Sequence, residues 1–152
     1  MTTQPVIRVE HISKHFGSLQ AVADLSFEVF SNTCFGFLGP NGAGKTTLMK
    51  MIYGRAKRSD DRSGTMDIFG YDPARDELSI KYLCGVVPQE DNLDEELNVI
   101  QNLKLFARFY DIEPSQSRQR IEELLDFLEL AEKRTALIRE LSGGMKRRLV
   151  IA

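Results

Sequence analysis

The chain has 152 residues, of which 42% are hydrophobic and 28% are charged, and this composition is typical of one soluble globular domain. Its formal net charge of -2 at pH 7 excludes a bulk electrostatic attraction to nucleic acid or to an anionic membrane. No segment resembles a signal peptide or the apolar run of about 18 residues that crosses a bilayer, so we expect any membrane association to go through a partner.

Five short segments carry the patterns of β-strands. The first two alternate hydrophobic and polar residues, which predicts a half-buried antiparallel pair, and the others are short and largely apolar. In chain order they are VIRVEHI at 6–12, LQAVADLSFEVF at 19–30, CFGFLG at 34–39, GTMDIFG at 64–70 and LCGVVPQ at 83–89, the last of these strand-like up to Pro88.

Helical periodicity first follows the glycine-rich turn 40–44. The spacing predicts a helix that turns Leu48, Met49 and Ile52 towards a core. Gly54 is the predicted end of this helix, because glycine commonly follows the last helical residue.

Further helices are predicted in the second half of the sequence. Residues 71–82 predict a helix with Asp72 as its N-cap and Pro73 at its first position. The pattern is helical again from Asn98 onward, and Pro114 separates two helices there. Their apolar residues recur at three- and four-residue spacings: Leu103, Phe106, Ile121, Leu124, Leu125 and Leu128.

The strongest chemical signal is GPNGAGKTT at 39–47, which matches the P-loop pattern G-x-x-x-x-G-K-[ST]. Glycines let successive backbone N–H groups point at phosphate oxygens, and the helix beginning beside Lys45 adds its positive end. Lys45 is expected to reach the β- and γ-phosphates, and the Thr46 hydroxyl to complete a Mg²⁺ shell. A simple strand-to-helix turn is the alternative, but the predicted strand before it and helix after it favour nucleotide binding. The predicted phosphate-binding residues are Gly39, Pro40, Asn41, Gly42, Ala43, Gly44, Lys45, Thr46 and Thr47.

Three motifs in a fixed order give the chain a family resemblance. GPNGAGKTT at 39–47, VVPQED at 86–91 and LSGGMKRR at 141–148 resemble the Walker A, glutamine-loop and signature motifs of the ATP-binding subunit of an ABC transporter. The similarity covers essentially the whole chain, and LSGG together with a P-loop is much more specific than a P-loop alone.

The resemblance implies an α/β fold, namely a P-loop NTPase with a RecA-like core. It also implies an ABC-type ATP-binding domain over 1–152 with three parts. These are an antiparallel β part over 1–30, a P-loop core part over 31–90 and a helical subdomain with the signature motif over 91–152.

The signature motif predicts a second anion-binding helix end. Ser142 can cap the following helix. Gly143 and Gly144 have no side chains that would block an anion from reaching their N–H groups. In the family, the P-loop of one subunit and the signature of another close over the same ATP, which implies a homodimer that binds nucleotide in trans through these three residues. A plain helix cap is the alternative. The basic residues 146–148 are more typical of a solvated face than of a nucleic-acid contact.

Two further residues receive roles from the resemblance. Phe16, in SKHFG, lies where the family places an aromatic that stacks on adenine, which is worth about 0.5–1.5 kcal/mol beyond the buried area. A core or strand-surface phenylalanine is the alternative. The Gln89 amide can both donate and accept, so the resemblance implies contact with Mg²⁺ or the attacking water, and the alternative is a turn-exposed glutamine. Lys45 and Gln89 are thus the predicted catalytic residues, and Thr46 and Gln89 the predicted metal ligands.

The residues found in two of the motifs narrow the resemblance to one group of ABC transporters. Met145 after LSGG, and CGVVPQEDNLDEELNV at 84–99, look like exporters of drugs, polysaccharides or lipo-oligosaccharides, including nodulation-factor export subunits. Asn32 and Thr33 stand where many relatives have a Gly-Glu pair, and a turn at that position accepts asparagine well.

Several family motifs have no counterpart before Ala152: the Walker B aspartate, the catalytic glutamate, the D-loop and the switch histidine. We therefore expect an N-terminal fragment that ends inside the signature helix, before the Walker B strand. Such a fragment should hold ATP poorly and hydrolyse it hardly at all, because phosphoryl transfer depends on positioning around the metal and the water. The resemblance also implies that the missing strands separate segments 34–39 and 83–88 in the core sheet. Both segments should therefore lack hydrogen-bonded neighbours.

Taken together, the resemblance implies a Mg²⁺-dependent ATPase in the complete protein. It would drive export through a transmembrane permease subunit or domain at the cytoplasmic face of the cell membrane, with a second ATP-binding subunit and no nucleic acid. Cys34 and Cys84 are predicted to be buried and reduced, which fits a cytosolic compartment. A non-hydrolysing nucleotide-binding module and an inactive fragment remain as alternatives. Relatives that act on ribosomes or in DNA repair are disfavoured, because the chain has no coiled-coil insert and no strongly basic surface.

Overall fold

The computed structural model describes residues 4–59 and 64–152. Two compact units make up the chain, one extending to Gly85 and the other running from Val86 to Ala152. Each unit encloses its own cluster of buried hydrophobic side chains.

A three-stranded antiparallel sheet forms the base of the first unit. Strands β1 (Pro5–Phe16) and β2 (Leu19–Phe30) make a hairpin, and β3 (Thr65–Ile68) pairs with the other edge of β1. The predicted antiparallel pair and the strand predicted within 64–70 are therefore confirmed.

A bulge in β1 changes which side chains reach the core. Val9 and Ile12 are both buried although they are three residues apart, a spacing that a regular strand does not allow. The pairing of β1 with β2 shifts between these two residues, and His11 has a φ of 52°. The extra residue turns the second half of the strand so that it again presents an apolar side chain to the core.

The helix after the glycine-rich turn, α1 (Lys45–Ile52), covers one face of this sheet. Its buried residues are Leu48, Met51 and Ile52, at the spacings of one helical face. The expectation that Met49 faces the core is wrong, since its side chain is 44% exposed and Met51 takes the buried position. Gly54 follows the helix, and its N–H donates to the Met51 carbonyl at 3.2 Å, as expected of a helix end.

The next helix, α2 (Glu77–Leu83), starts later than the sequence predicts. Asp72 is not its N-cap. The Asp72 carboxylate accepts the Ala74 N–H at 2.9 Å, and both of its oxygens bind Arg58, at 3.0 and 3.1 Å. These bonds hold residues 72–75 in a turn, so the helix can begin only after Asp76.

The strands predicted at 34–39 and 83–88 are not formed. Within the described parts of the chain, neither segment pairs with another strand. A strand needs a neighbour that completes its backbone hydrogen bonds, and an apolar run alone does not supply one. In the first segment Phe35 stacks on Phe27 and Phe37 meets it edge to face, with ring centroids 5.5 and 5.2 Å apart, while Leu38 is 98% exposed.

Both cysteines are free thiols, but their burial differs from the prediction. Cys34 is exposed because segment 34–39 is not part of the sheet. Cys84 is partly buried, and this burial raises the pKa of its thiol above the ordinary value.

The second unit is helical and confirms the helices predicted after Asn98. Helix α3 (Val99–Phe109) begins with a capping box in which Asn98 and Gln101 each accept the other's backbone N–H at 2.9 Å. Helix α4 (Pro114–Phe127) has its proline in the first turn, and helix α5 (Gly143–Ile151) carries the signature residues. Two short 3₁₀ turns, Ala131–Lys133 and Ile138–Glu140, connect α4 to α5.

The core of this unit is formed by the inward faces of the three helices and the residues that connect them. Its buried members are Val99, Leu103, Ile121, Leu125, Leu128, Leu130, Ile138, Leu141 and Leu149. Among the helices in 4–59 and 64–152, none combines the length and the hydropathy that a membrane crossing demands.

Candidate nucleotide-binding site

The P-loop is anchored on strand β2 by a close backbone approach. Gly44 is the N-cap residue of α1 and has a φ of 84°. A methyl group added at Gly44 would lie 2.1 Å from the carbonyl oxygen of Ala21 in β2. Gly42 has a similar φ of 85°, but a methyl group there would meet no atom within 4 Å. The turn therefore needs glycine at Gly44 both for its backbone conformation and for its contact with the sheet.

The side chain of Lys45 curls back over this turn. Its Nζ donates to the carbonyl oxygens of Gly39 at 2.6 Å and Pro40 at 2.7 Å. The first turn of α1 contains no acidic residue, so the positive end of the helix and the ammonium group lie together without a nearby carboxylate on that turn. An anion that reaches the loop can exchange these two neutral carbonyl partners for charged oxygens, which bind an ammonium group more strongly.

An open cleft of about 410 Å³ adjoins the loop within the first unit. Residues 20–23 of β2, the side chains of Phe37 and Leu38, and P-loop residues 42–45 line it. The cleft thus places mostly apolar residues beside the P-loop and Lys45, an arrangement that suits a ligand with an apolar part and an anionic part.

The chemistry of the loop fits Mg²⁺ better than a metal held by a protein cage. No group of three His, Cys, Asp or Glu side chains within 4–59 and 64–152 is placed to hold a metal ion. Thr46, beside Lys45, has an exposed side chain. Mg²⁺ is commonly held by one or two protein oxygens together with phosphate oxygens and water, so a single hydroxyl next to a phosphate site is a suitable donor set.

Phe16 lies at the end of β1 and is 54% exposed, which rules out a place in the core. The Nζ atom of Lys14 lies 4.9 Å from the centroid of the Phe16 ring. This is a cation–π contact between two residues that share one side of the strand. The two-residue spacing was visible in the sequence, but Lys14 was not among the predicted site residues.

The signature residues form the predicted cap in the second unit. Ser142 is the N-cap of α5, and its Oγ accepts the Met145 N–H at 3.2 Å. Gly143 and Gly144 are exposed, and a methyl group on either would meet no atom within 4 Å. The first N–H groups of α5 therefore open to solvent at a helix end whose first turn has no acidic residue.

Gln89, also in the second unit, is exposed and follows Pro88 in a bend. The basic run in α5 lies at the surface, and each of its three side chains has a partner there. Lys146 Nζ lies 3.4 Å from a Glu95 carboxylate oxygen, and Arg148 binds Glu129 at 2.9 Å. Arg147 donates to the Pro88 carbonyl at 2.5 Å, which joins the signature helix to the residue before Gln89. No signal in the sequence indicated this contact.

The comparison with protein families decides the identity of the fold. The family model described as "ABC transporter" matches residues 22–152. The chain belongs to the ABC transporter family. The resemblance stated from the three motifs is confirmed, and so is the predicted α/β fold class, although two of the predicted strands are not formed.

Relatives of this ABC transporter chain carry one recurring name, "Nod factor export ATP-binding protein I". The protein from Mesorhizobium japonicum is 44% identical over 142 residues, which cover 93% of this chain and 41% of that protein. The protein from Cupriavidus metallidurans is 39% identical over 147 residues, covering 97% of this chain and 48% of that protein. The chain thus spans about half the length of the curated relatives it matches. Their names confirm the likeness to nodulation-type export subunits.

Solved structures agree on the fold. One, titled "Structure of ATP binding subunit of ABC transporter", superposes with a TM-score of 0.80 at 27% identity and covers 96% of this chain and 60% of its own. A Clostridium perfringens protein described as part of the ABC transporter complex cbiONQ has a TM-score of 0.84 at 22% identity, with 97% and 59% covered.

Proposed function

We propose that the complete protein is the ATP-binding subunit of an ABC exporter, which hydrolyses ATP with Mg²⁺ to drive transport. The observation that carries this proposal is the P-loop, with the Lys45 ammonium held over the turn by the Gly39 and Pro40 carbonyls. The direction of transport rests on the relatives named for Nod factor export.

Residues of the first unit would bind both the phosphates and the base of the nucleotide. Backbone N–H groups of residues 41–47 would surround the phosphates, and Lys45 would leave its two carbonyl partners to bind the β- and γ-phosphate oxygens. Phe16 offers an exposed ring to the adenine base.

Thr46 would contribute its hydroxyl to Mg²⁺, and Gln89 its amide to Mg²⁺ or to the attacking water. Held there, Mg²⁺ would supply positive charge to offset the negative charge that develops during phosphoryl transfer. The exposure of both side chains supports these roles, because a ligand can reach them.

The remaining parts of the proposal concern assembly. A second copy of the subunit would present Ser142, Gly143 and Gly144 to the γ-phosphate in trans, and the open N–H groups at the start of α5 support this. A transmembrane partner would hold the dimer at the cytoplasmic face of the membrane. We retain the division into an antiparallel β part over 1–30, a P-loop core part over 31–90 and a helical part over 91–152.

Calorimetric titration with Mg²⁺ and ATP tests whether Lys45 in the P-loop binds the phosphates. Lys45→Ala removes a charged hydrogen-bond donor worth about 1.5–3 kcal/mol, so we expect the affinity to fall about tenfold to a hundredfold. Lys50→Ala is the matched control, because Lys50 is an exposed lysine in the last turn of the same helix. Titrations reaching millimolar ATP allow for weak binding by this chain. Equal affinities for wild type and Lys45→Ala would refute the phosphate-binding role of the loop.

A further inference from the structure

We propose that Ser59 is a positioning residue for the nucleotide base, acting by fixing the strand end that carries Phe16. This inference rests on the proposed function, because it assigns a further residue to the same nucleotide site. It is based on a contact between the segment after α1, which contains Ser59, and the last residues of β1.

The contact consists of three hydrogen bonds between residues that are 44 or 46 positions apart in the sequence. The Ser59 hydroxyl accepts the His15 N–H at 2.5 Å and donates to the His15 carbonyl at 3.3 Å. In addition, the Ser59 N–H donates to the Ser13 carbonyl at 3.4 Å. One hydroxyl thus binds both backbone polar groups of the residue that directly precedes Phe16.

The position of these bonds matters because β1 is irregular there. Its pairing with β2 shifts between Lys14 and His15, two residues before the hairpin turn. A strand end at a register shift has a less regular hydrogen-bond ladder to hold it. The Ser59 hydroxyl supplies two bonds at this place, so the direction in which Phe16 leaves the strand depends on Ser59.

The Phe16 ring itself is partly occupied. Lys14 places its ammonium 4.9 Å from the ring centroid, while the ring remains 54% exposed. One face therefore carries a cation, and the remaining surface is available to a stacking base. Stacking depends on ring orientation, so a strand end that is fixed on the backbone side favours a base bound in one pose.

Ser59 also connects the two ends of the proposed nucleotide site. It lies seven residues after the end of α1, whose first turn carries Lys45 and Thr46. Its hydroxyl joins the chain that leaves the phosphate-binding helix to the strand that carries the aromatic ring. The distance between phosphate subsite and base subsite is thereby set partly by this contact.

A comparison of ATP with inorganic tripolyphosphate isolates the effect on the base. Both ligands present a triphosphate, but only ATP carries a ring that stacks. We expect Ser59→Ala to weaken ATP binding about two- to tenfold and to leave tripolyphosphate binding unchanged. Ser59→Thr keeps a hydroxyl that donates and accepts, so it should restore the ATP affinity.

Two controls separate this role from general stabilisation of the hairpin. Ser26→Ala removes a bond of the same kind, since the Ser26 hydroxyl accepts the His11 N–H at 2.8 Å, but it lies away from Phe16 along the hairpin. It should leave the ratio of the two affinities unchanged. Phe16→Ala should lower ATP affinity selectively, and adding Ser59→Ala to it should cause no further loss, because both changes act through one ring.

The outcomes distinguish the inference from the function on which it rests. If wild type binds both ligands and Ser59→Ala changes neither affinity or changes both equally, the positioning role is refuted while the phosphate site stands. A selective loss that Ser59→Thr does not restore also refutes it. If wild type binds neither ligand, the proposed function and this inference both fail.

Discussion

Replacing Gly44 by alanine tests whether the P-loop is held against β2 as the structure shows. The added methyl group would lie 2.1 Å from the Ala21 carbonyl oxygen, whereas ordinary contact begins at 3.4 Å. The loop or the strand must therefore move by about 3.4 minus 2.1, or 1.3 Å. Gly42→Ala is the matched control, since Gly42 has almost the same positive φ but open space around it.

The two substitutions share one cost and differ in another. A positive φ costs an alanine roughly 1–2 kcal/mol, and both variants bear this cost. Forcing a methyl group into a filled position adds about 1–3 kcal/mol, which only Gly44→Ala bears. We expect Gly42→Ala to lower the free energy of unfolding by about 1–2 kcal/mol, and Gly44→Ala by about 2–5 kcal/mol.

Urea denaturation without nucleotide measures this difference free of any effect on binding. The signal should report the first unit, for example the tyrosine fluorescence of Tyr53 at the end of α1. Equal losses of stability in the two variants would mean that Gly44 does not touch β2, and the anchoring of the loop would be wrong. A Gly44→Ala protein that does not fold while Gly42→Ala does would agree with the prediction.

Two further predictions concern other local contacts. Ser142→Ala should lower the stability of the second unit by about 1 kcal/mol because the Met145 N–H loses its cap, while Ser142→Asp should not; equal urea midpoints for the two variants would contradict this. For Asp72, burial raises the pKa, but hydrogen bonds from Arg58 and the Ala74 N–H outweigh burial and hold the pKa below its usual 3.8. The stabilisation it provides is therefore complete above pH 3.8 and is lost as the pH falls through the lower folded-state pKa. The stability difference between wild type and Asp72→Asn should shrink over that acid range, and a difference independent of pH would contradict the assignment.

Features with a local signal in the sequence were predicted well. The P-loop pattern located α1 and its turn, Asn98 and Pro114 marked the starts of α3 and α4, and Ser142 marked the start of α5. In each case the residue that sets the helix start lies within a few positions of the groups it bonds. Such contacts need no knowledge of the tertiary structure.

Features that depend on distant partners were not predicted. The predicted start of α2 is wrong because the Asp72 carboxylate binds Arg58, 14 residues away, and does not cap the helix. The segments at 34–39 and 83–88 have strand-like composition, and only the family resemblance, not their own pattern, indicated that they would lack hydrogen-bonded neighbours. The Ser59 contact with His15 has no sequence signature at all.

The candidate site divides in the same way. The predicted phosphate-binding residues follow from a motif with a physical rationale, and the resemblance supplied the candidates Phe16, Gln89 and the signature residues. The position of Lys45 against the two carbonyls became visible only in three dimensions.

A nucleotide-bound structure of this chain tests the central claim most directly, because it shows where the Lys45 ammonium goes. We expect Nζ to leave the Gly39 and Pro40 carbonyls and to bind phosphate oxygens, with the loop N–H groups around them. A structure in which the triphosphate lies elsewhere and Lys45 keeps both carbonyl partners would contradict the account.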